Sequence, residues 1–142
     1  MPEIKLTQIE IGLIAKFQSI TRAAVRDCII EGDEDVTFVV SSNDIGRAIG
    51  KKGANIKQAS KVLKKEVHVV EYSEDPVKFI KSVMHPIKPK TINIEGKNSK
   101  TIAKVSVESR DRGSAIGSRG KNIHRLRNIV TRHHNIDDVT II

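Results

Sequence analysis

The chain is poor in aromatic side chains. Its 142 residues hold three Phe, one Tyr and no Trp, 3% in all. Proteins that grip nucleic acid by stacking bases on exposed rings need several of them. Any nucleic acid bound here must be held another way. Cysteine is almost absent as well. Cys28 alone excludes an intramolecular disulfide and any multi-cysteine metal site. It lies in an apolar run, which predicts a buried strand thiol. No apolar stretch approaches the length of about 20 residues that spans a bilayer. The N-terminus, Met1-Pro2-Glu3-Ile4-Lys5, lacks the apolar core of a secretory signal. The expectation is a soluble, cytoplasmic, monomeric protein with no membrane partner.

Acidic charge is in short supply against basic charge. There are 17 Asp and Glu against 25 Lys and Arg, for a net charge of +8 and a pI near 9.7. Such a balance points to a polyanionic partner rather than to a fold. Residues 1–73 carry a net +1 and residues 74–142 a net +7. The first half is still locally basic. Its acids gather at Glu31, Asp33, Glu34 and Asp35, whereas residues 45–65 carry seven Lys or Arg and no acid.

What the chain does have is a repeated segment. Residues 45–56 read IGRAIGKKGANI and residues 112–123 read RGSAIGSRGKNI, 67 positions apart and identical at seven of twelve. Each copy holds two glycines around basic residues: Gly50, Lys51, Lys52, Gly53, then Gly117, Ser118, Arg119, Gly120. A chain of this length makes one ordinary domain or two of about 70 residues. The repeat favours two, expected to pack together as one rigid unit.

Periodicity extends the repeat to whole domains. Thr7 with Glu10 fits a capping box, and Ile9, Leu13, Phe17 and Ile20 recur at helical spacing over about 7–22. Strands are expected at 25–31 and 36–41, joined by a turn at Gly32. Asp44 is placed to cap a short helix ending at Ile49. The glycine loop interrupts it, a second helix carries Ile56, Ala59 and Leu63, and a strand follows at 67–72. A polar break at 73–75 precedes Pro76, which suits a first helical position. The same order then returns: a helix spaced by Val77, Ile80 and Met84, strands at 91–95 and 103–108 around a turn at 96–100, a short helix, the loop, a helix at about 121–134, and a strand at 139–142. The fold class is α+β, in two domains of about 1–73 and 74–142, each α-β-β-α-α-β.

A helix N-terminus offers unpaired N–H groups and the positive end of a dipole. A loop placed there, with no Cβ at two positions, lets a phosphodiester backbone lie against the main chain. Lys51, Lys52 and Arg119 add charge at that point, and Ser118 a hydrogen bond. The isoleucines beside the loops (Ile45, Ile49, Ile56, Ile116 and Ile123) are placed to line an apolar groove, and Ile49, Ile56, Ile116 and Ile123 are expected to share that role with core packing. Lys57, Lys61, Lys64 and Lys65, like Arg125, Arg127 and Arg132, read equally as ligand contacts or as solvated helix faces. His133 and His134 have no Cys or carboxylate at ligand spacing and suit a helix C-terminus better than a metal.

Ile-Gly-x-x-Gly between two helices after a β-hairpin resembles the KH domain, whose GxxG loop clamps about four nucleotides of single strand. The family's type I form continues past the motif with two strands and a helix. Here the sequence stops one strand after the second motif, which selects type II, with its three-stranded mixed sheet. Residues 69–86, VVEYSEDPVKFIKSVMHP, look like the linker between the tandem KH domains of the NusA transcription factors. The segment VSVESRDRGSAIGSRGKNIHRL is similar to the second KH domain of that family. The whole chain resembles a short archaeal-type form without the N-terminal polymerase-binding and S1 domains of bacterial members.

The resemblance implies single-stranded RNA, the nascent transcript, bound at Ile49, Gly50, Lys51, Lys52, Gly53, Asn55, Ile56 and Lys57 and at Ile116, Gly117, Ser118, Arg119, Gly120, Lys121, Asn122 and Ile123. It also implies a role in transcription elongation, termination or antitermination, with RNA polymerase as partner. No cofactor and no metal are expected, and no Ser/His/Asp set forms a catalytic motif. A nucleotide-phosphate loop fits poorly, since Gly46 and Gly50 enclose three residues and Lys51 is followed by Lys52 rather than Ser or Thr. A ribosome-associated or rRNA-processing KH protein, or a KH-like scaffold without RNA binding, remain as rival readings.

Overall fold

The computed structural model describes residues 4–142. They divide into two compact units, one of Lys5–Ser73 and one whose body is Glu74–Ile142.

In the first unit α1 (Gln8–Thr21) starts at a reciprocal cap: Glu10 N–H donates to Thr7 Oγ1, and Thr7 N–H donates to Glu10 Oε1. Arg22, in left-handed conformation, ends it. The chain then forms the hairpin β1 (Val25–Glu31) and β2 (Asp35–Val40), turning at Gly32 with φ 61°. Next come α2 (Ile45–Ile49), the glycine loop, α3 (Ala54–Leu63) and β3 (Glu66–Glu71). β2 is central, antiparallel to β1 and parallel to β3. The parallel pairing follows from the helical crossover between them. Cys28, Val36, Phe38, Val40 and Val67 share one core with Phe17 of α1, Ala48 of α2, and Ala59 and Leu63 of α3. Phe17 and Phe38 stack with ring centroids 4.1 Å apart. Cys28 is fully buried, as its apolar setting predicts.

The second unit repeats the order. α4 (Pro76–Met84) is capped by Asp75, whose side chain accepts from Val77 N–H, with Pro76 at the start. β4 (Thr91–Lys97) and β5 (Lys100–Ser106) pair antiparallel. α5 (Arg112–Ile116), the second loop, α6 (Lys121–His133) and β6 (Asp138–Ile141) follow, with β6 parallel to β5. Phe79, Ile80, Val83 and Met84 of α4 are buried, as are Ile123, Leu126, Ile129 and Val130 of α6 and Ala103 and Val105 of β5.

Two expectations change. The β4–β5 turn is not residues 96–100 but only Asn98 and Ser99, both left-handed with φ of 52° and 65°. Such a two-residue turn matches the twist of the strands it joins, so the ladder runs through Gly96 to the pair Lys97–Lys100. Asp44 precedes α2 but does not cap it. Its backbone sits at φ −108° and ψ −7°, outside the extended region a capping residue adopts. Its carboxylate instead accepts from Ser41 Oγ at 3.2 Å and pairs with Arg47 at 3.1 Å.

Candidate nucleic-acid interface

Each loop begins where a short helix stops. The Gly50 N–H closes α2 on Gly46 O at 2.9 Å, and Gly117 N–H closes α5 on Gly113 O at 2.8 Å. The chain then turns through backbone space open to few residues. Gly50 lies at φ 76° and ψ 170°, Lys52 at 56° and 30°, and Gly53 at 75° and 17°. The second loop has Gly117 at 81° and 169°, Arg119 at 57° and 28°, and Gly120 at 72° and 17°. Corresponding angles agree to within 5°. The Gly50 and Gly117 conformations are essentially reserved for glycine. A Cβ there would also lie 2.8 Å from the backbone nitrogen of Asn55 or Asn122. Each loop is closed by the N–H of its last glycine donating to the carbonyl of its first, at 3.1 Å in both.

The four residues between the glycines, Lys51, Lys52, Ser118 and Arg119, are exposed. Lys52 and Arg119 both hold left-handed backbone, which costs a non-glycine residue about 1 kcal/mol. Both copies keep a basic side chain in this strained position. Behind each loop a helix begins without a side-chain cap. The N–H groups of Ala54 and Lys121 donate instead to the loop carbonyls of Lys51 and Ser118.

The isoleucines divide. Ile49 is 37% exposed and stands clear beside the first loop, and Ile56 and Ile116 are half-buried. Ile123 is turned into the core, with 8% exposed, so it packs rather than lining a groove. Lys57 and Lys121 are exposed on the first turns after the loops, Lys61 is exposed further along α3, and Lys64 is exposed in left-handed backbone just past its end. Arg127 is drawn away to the sheet, donating to Val139 O at 2.9 Å and pairing with Asp138 at 3.0 Å. His133 is buried against the edge of Phe79, 5.4 Å between ring centroids, which makes it a packing residue. All four aromatic residues are buried: Phe17, Phe38 and Phe79 completely, and Tyr72 to 7% exposure beneath Arg26, whose guanidinium lies 3.9 Å from the ring centroid. Among the described residues no Phe or Tyr ring is displayed for stacking a base.

Two side chains do something the repeat alone did not disclose. Asn55 Nδ2 donates to Arg47 O at 2.6 Å, and Asn122 Nδ2 donates to Ser114 O at 2.8 Å. The signal was present in the sequence: both copies carry Asn five residues after the first glycine. Position alone does not separate a ligand contact from a brace.

Known proteins share this arrangement. A model described as KH domain matches residues 14–88, and one described as NusA-like second KH domain matches residues 76–140. A protein of Methanocaldococcus jannaschii named probable transcription termination protein NusA is 34% identical over 142 residues, 100% of this chain and 77% of that one. A protein of the same name from Methanococcus vannielii is 36% identical over 139 residues, 98% of this chain and 80% of its own. A solved structure described as the crystal structure of APE1850 superposes with a TM-score of 0.82 at 33% identity, covering 96% of this chain and 100% of that one.

Proposed function

Because the chain belongs to the NusA-like family of KH-domain proteins, we propose that it is a transcription factor that binds single-stranded RNA through both glycine loops. The family is one of RNA-binding factors rather than enzymes. The chain carries two type II KH domains, 1–73 and 74–142, a reading supported by its division into compact units after Ser73. The observation that carries the reading is the pair of loops with one backbone shape, each presenting exposed basic or hydroxyl side chains at an uncapped helix start. Phosphates lie against Gly50–Gly53 and 117–120, with charge from Lys51, Lys52 and Arg119 and a hydrogen bond from Ser118. Bases lie along Ile49, Ile56 and Ile116, which takes the place of ring stacking. The target is the nascent transcript, and RNA polymerase is the partner in elongation or termination control; the relatives' names support the part in transcription termination.

The test is a filter-binding titration with one RNA sequence in single-stranded and duplex form. The single strand should bind at least tenfold more tightly, because paired bases cannot lie along the isoleucines. Affinity should also fall steeply with salt, as counterion release requires. Equal affinity for both forms would leave only a basic patch, and a flat salt response would remove the phosphate contacts. Co-purification from extract then separates the cellular roles: polymerase subunits support transcription, and ribosomal subunits overturn it.

A further inference from the structure

Each loop must hold its shape before RNA arrives, and the geometry points to Asn55 and Asn122 as positioning residues that hold it, rather than as RNA contacts. This rests on the RNA reading above, which it refines. α2 and α5 are five residues long and run straight into the loops. The last carbonyls of any helix have no partner within it and form the negative end of its dipole. In both domains that negative end faces the spot where a phosphate is to lie.

Gly46 O and Gly113 O are satisfied by the first loop glycines. The following carbonyls, Arg47 O and Ser114 O, are taken by the asparagine amides at 2.6 and 2.8 Å. The same asparagines supply the wall against which the first glycine sits: their Cγ and backbone nitrogen both lie 2.8 Å from where its Cβ would be. One side chain thus covers a carbonyl that would repel phosphate, ties the helix before the loop to the helix after it, and fixes the first glycine.

The brace is the same in two loops whose basic residues differ, so it accompanies the loop's shape rather than its charge. An amide is needed for this. An isosteric carboxylate has no proton for the carbonyl and brings negative charge to the phosphate site.

The test uses the full chain, a mixed-sequence 12-nucleotide RNA, and amide hydrogen exchange on the protein without RNA. Asn55→Ala with Asn122→Ala should weaken RNA binding about tenfold. It should also speed exchange at Gly53 and Gly120 by a similar factor, leaving exchange in β2 and β5 unchanged. Asn55→Asp with Asn122→Asp should bind at least as weakly and speed exchange at Gly53 and Gly120, since a carboxylate cannot donate to the carbonyls of Arg47 and Ser114.

Lost affinity with unchanged loop exchange in the alanine pair would make the asparagines direct RNA contacts and overturn the proposal. Unchanged affinity would overturn it too. Should the alanine pair fail to fold, the aspartate pair decides: parental affinity, or weakened binding with unchanged exchange at Gly53 and Gly120, overturns the proposal, and weakened binding with faster exchange there supports it. The control Lys51→Glu, Lys52→Glu, Arg119→Glu tests the RNA reading separately. If it binds as the parent does, that reading fails, while exchange at Gly53 and Gly120 in the asparagine variants still reports the brace.

Discussion

The two loops are alike in backbone and unlike in charge. The φ and ψ of both glycines and of the basic residue before the second agree to within 5°, yet one loop carries Lys51 and Lys52 and the other Ser118 and Arg119. Their surroundings differ too. Ile49 stands exposed beside the first loop, while its counterpart Ile116 is half-buried, and Ile56 is half-buried where Ile123 is in the core. Main-chain shape is held by glycine, by the asparagine brace and by helix packing, so it cannot drift without loss of the loop. The side chains between the glycines point to solvent and are free to diverge. Shape is therefore what the two loops share, and charge is where they differ.

The largest expected effect breaks the shape. Gly50→Ala and Gly117→Ala each force a glycine-only conformation and drive a Cβ into an asparagine backbone 2.8 Å away. Each should cost about 2–4 kcal/mol of stability in urea unfolding, and the two costs should match. Gly53→Ala meets nothing within 4 Å and bears only its φ of 75°, at about 1 kcal/mol. A first-glycine cost no greater than that of Gly53→Ala would remove the asparagine wall from the explanation.

Breaking the charge comes next. Lys51→Glu with Lys52→Glu should weaken single-stranded RNA binding about 30-fold, roughly 2 kcal/mol, without lowering the melting temperature. Neutralising Lys51 and Lys52 as alanines should reduce the slope of log affinity against log salt by about 1.4, whereas Arg119→Ala should reduce it by about 0.7. Equal slopes would mean that the loops do not differ in the number of phosphates they hold. The smallest effect sharpens the same contrast by gain. Ser118→Lys should tighten binding about threefold and raise the slope by about 0.7; no change in a salt titration would show that this position does not reach a phosphate.

Much of this was legible without coordinates. The capping box at Thr7 and Glu10, the Pro76 helix start and the twin Gly-x-x-Gly segments are local signals, set by neighbours a few residues away. They survived because nothing in the tertiary structure competes with them. The Asn98–Ser99 turn was misplaced because Gly96 is the stronger breaker by composition, whereas the ladder across to β5 carries the strand through it. Asp44 had the composition of a cap but not the backbone, since the turn out of β2 had already set its ψ. Arg127 looked like one more base on a helix face, and only its approach to Val139 and Asp138 showed it bound to the sheet.

By itself the sequence determined the order of elements, the duplication, the scarcity of rings and the sign of the charge, because each is a property of residue type and spacing. The tertiary structure decided which isoleucine faces out and which faces in. It also decided that all four aromatics are buried, and that the repeated asparagines reach back to carbonyls eight residues earlier. Those outcomes depend on how strands and helices close over one another, and that closure is settled by contacts between residues distant in the chain.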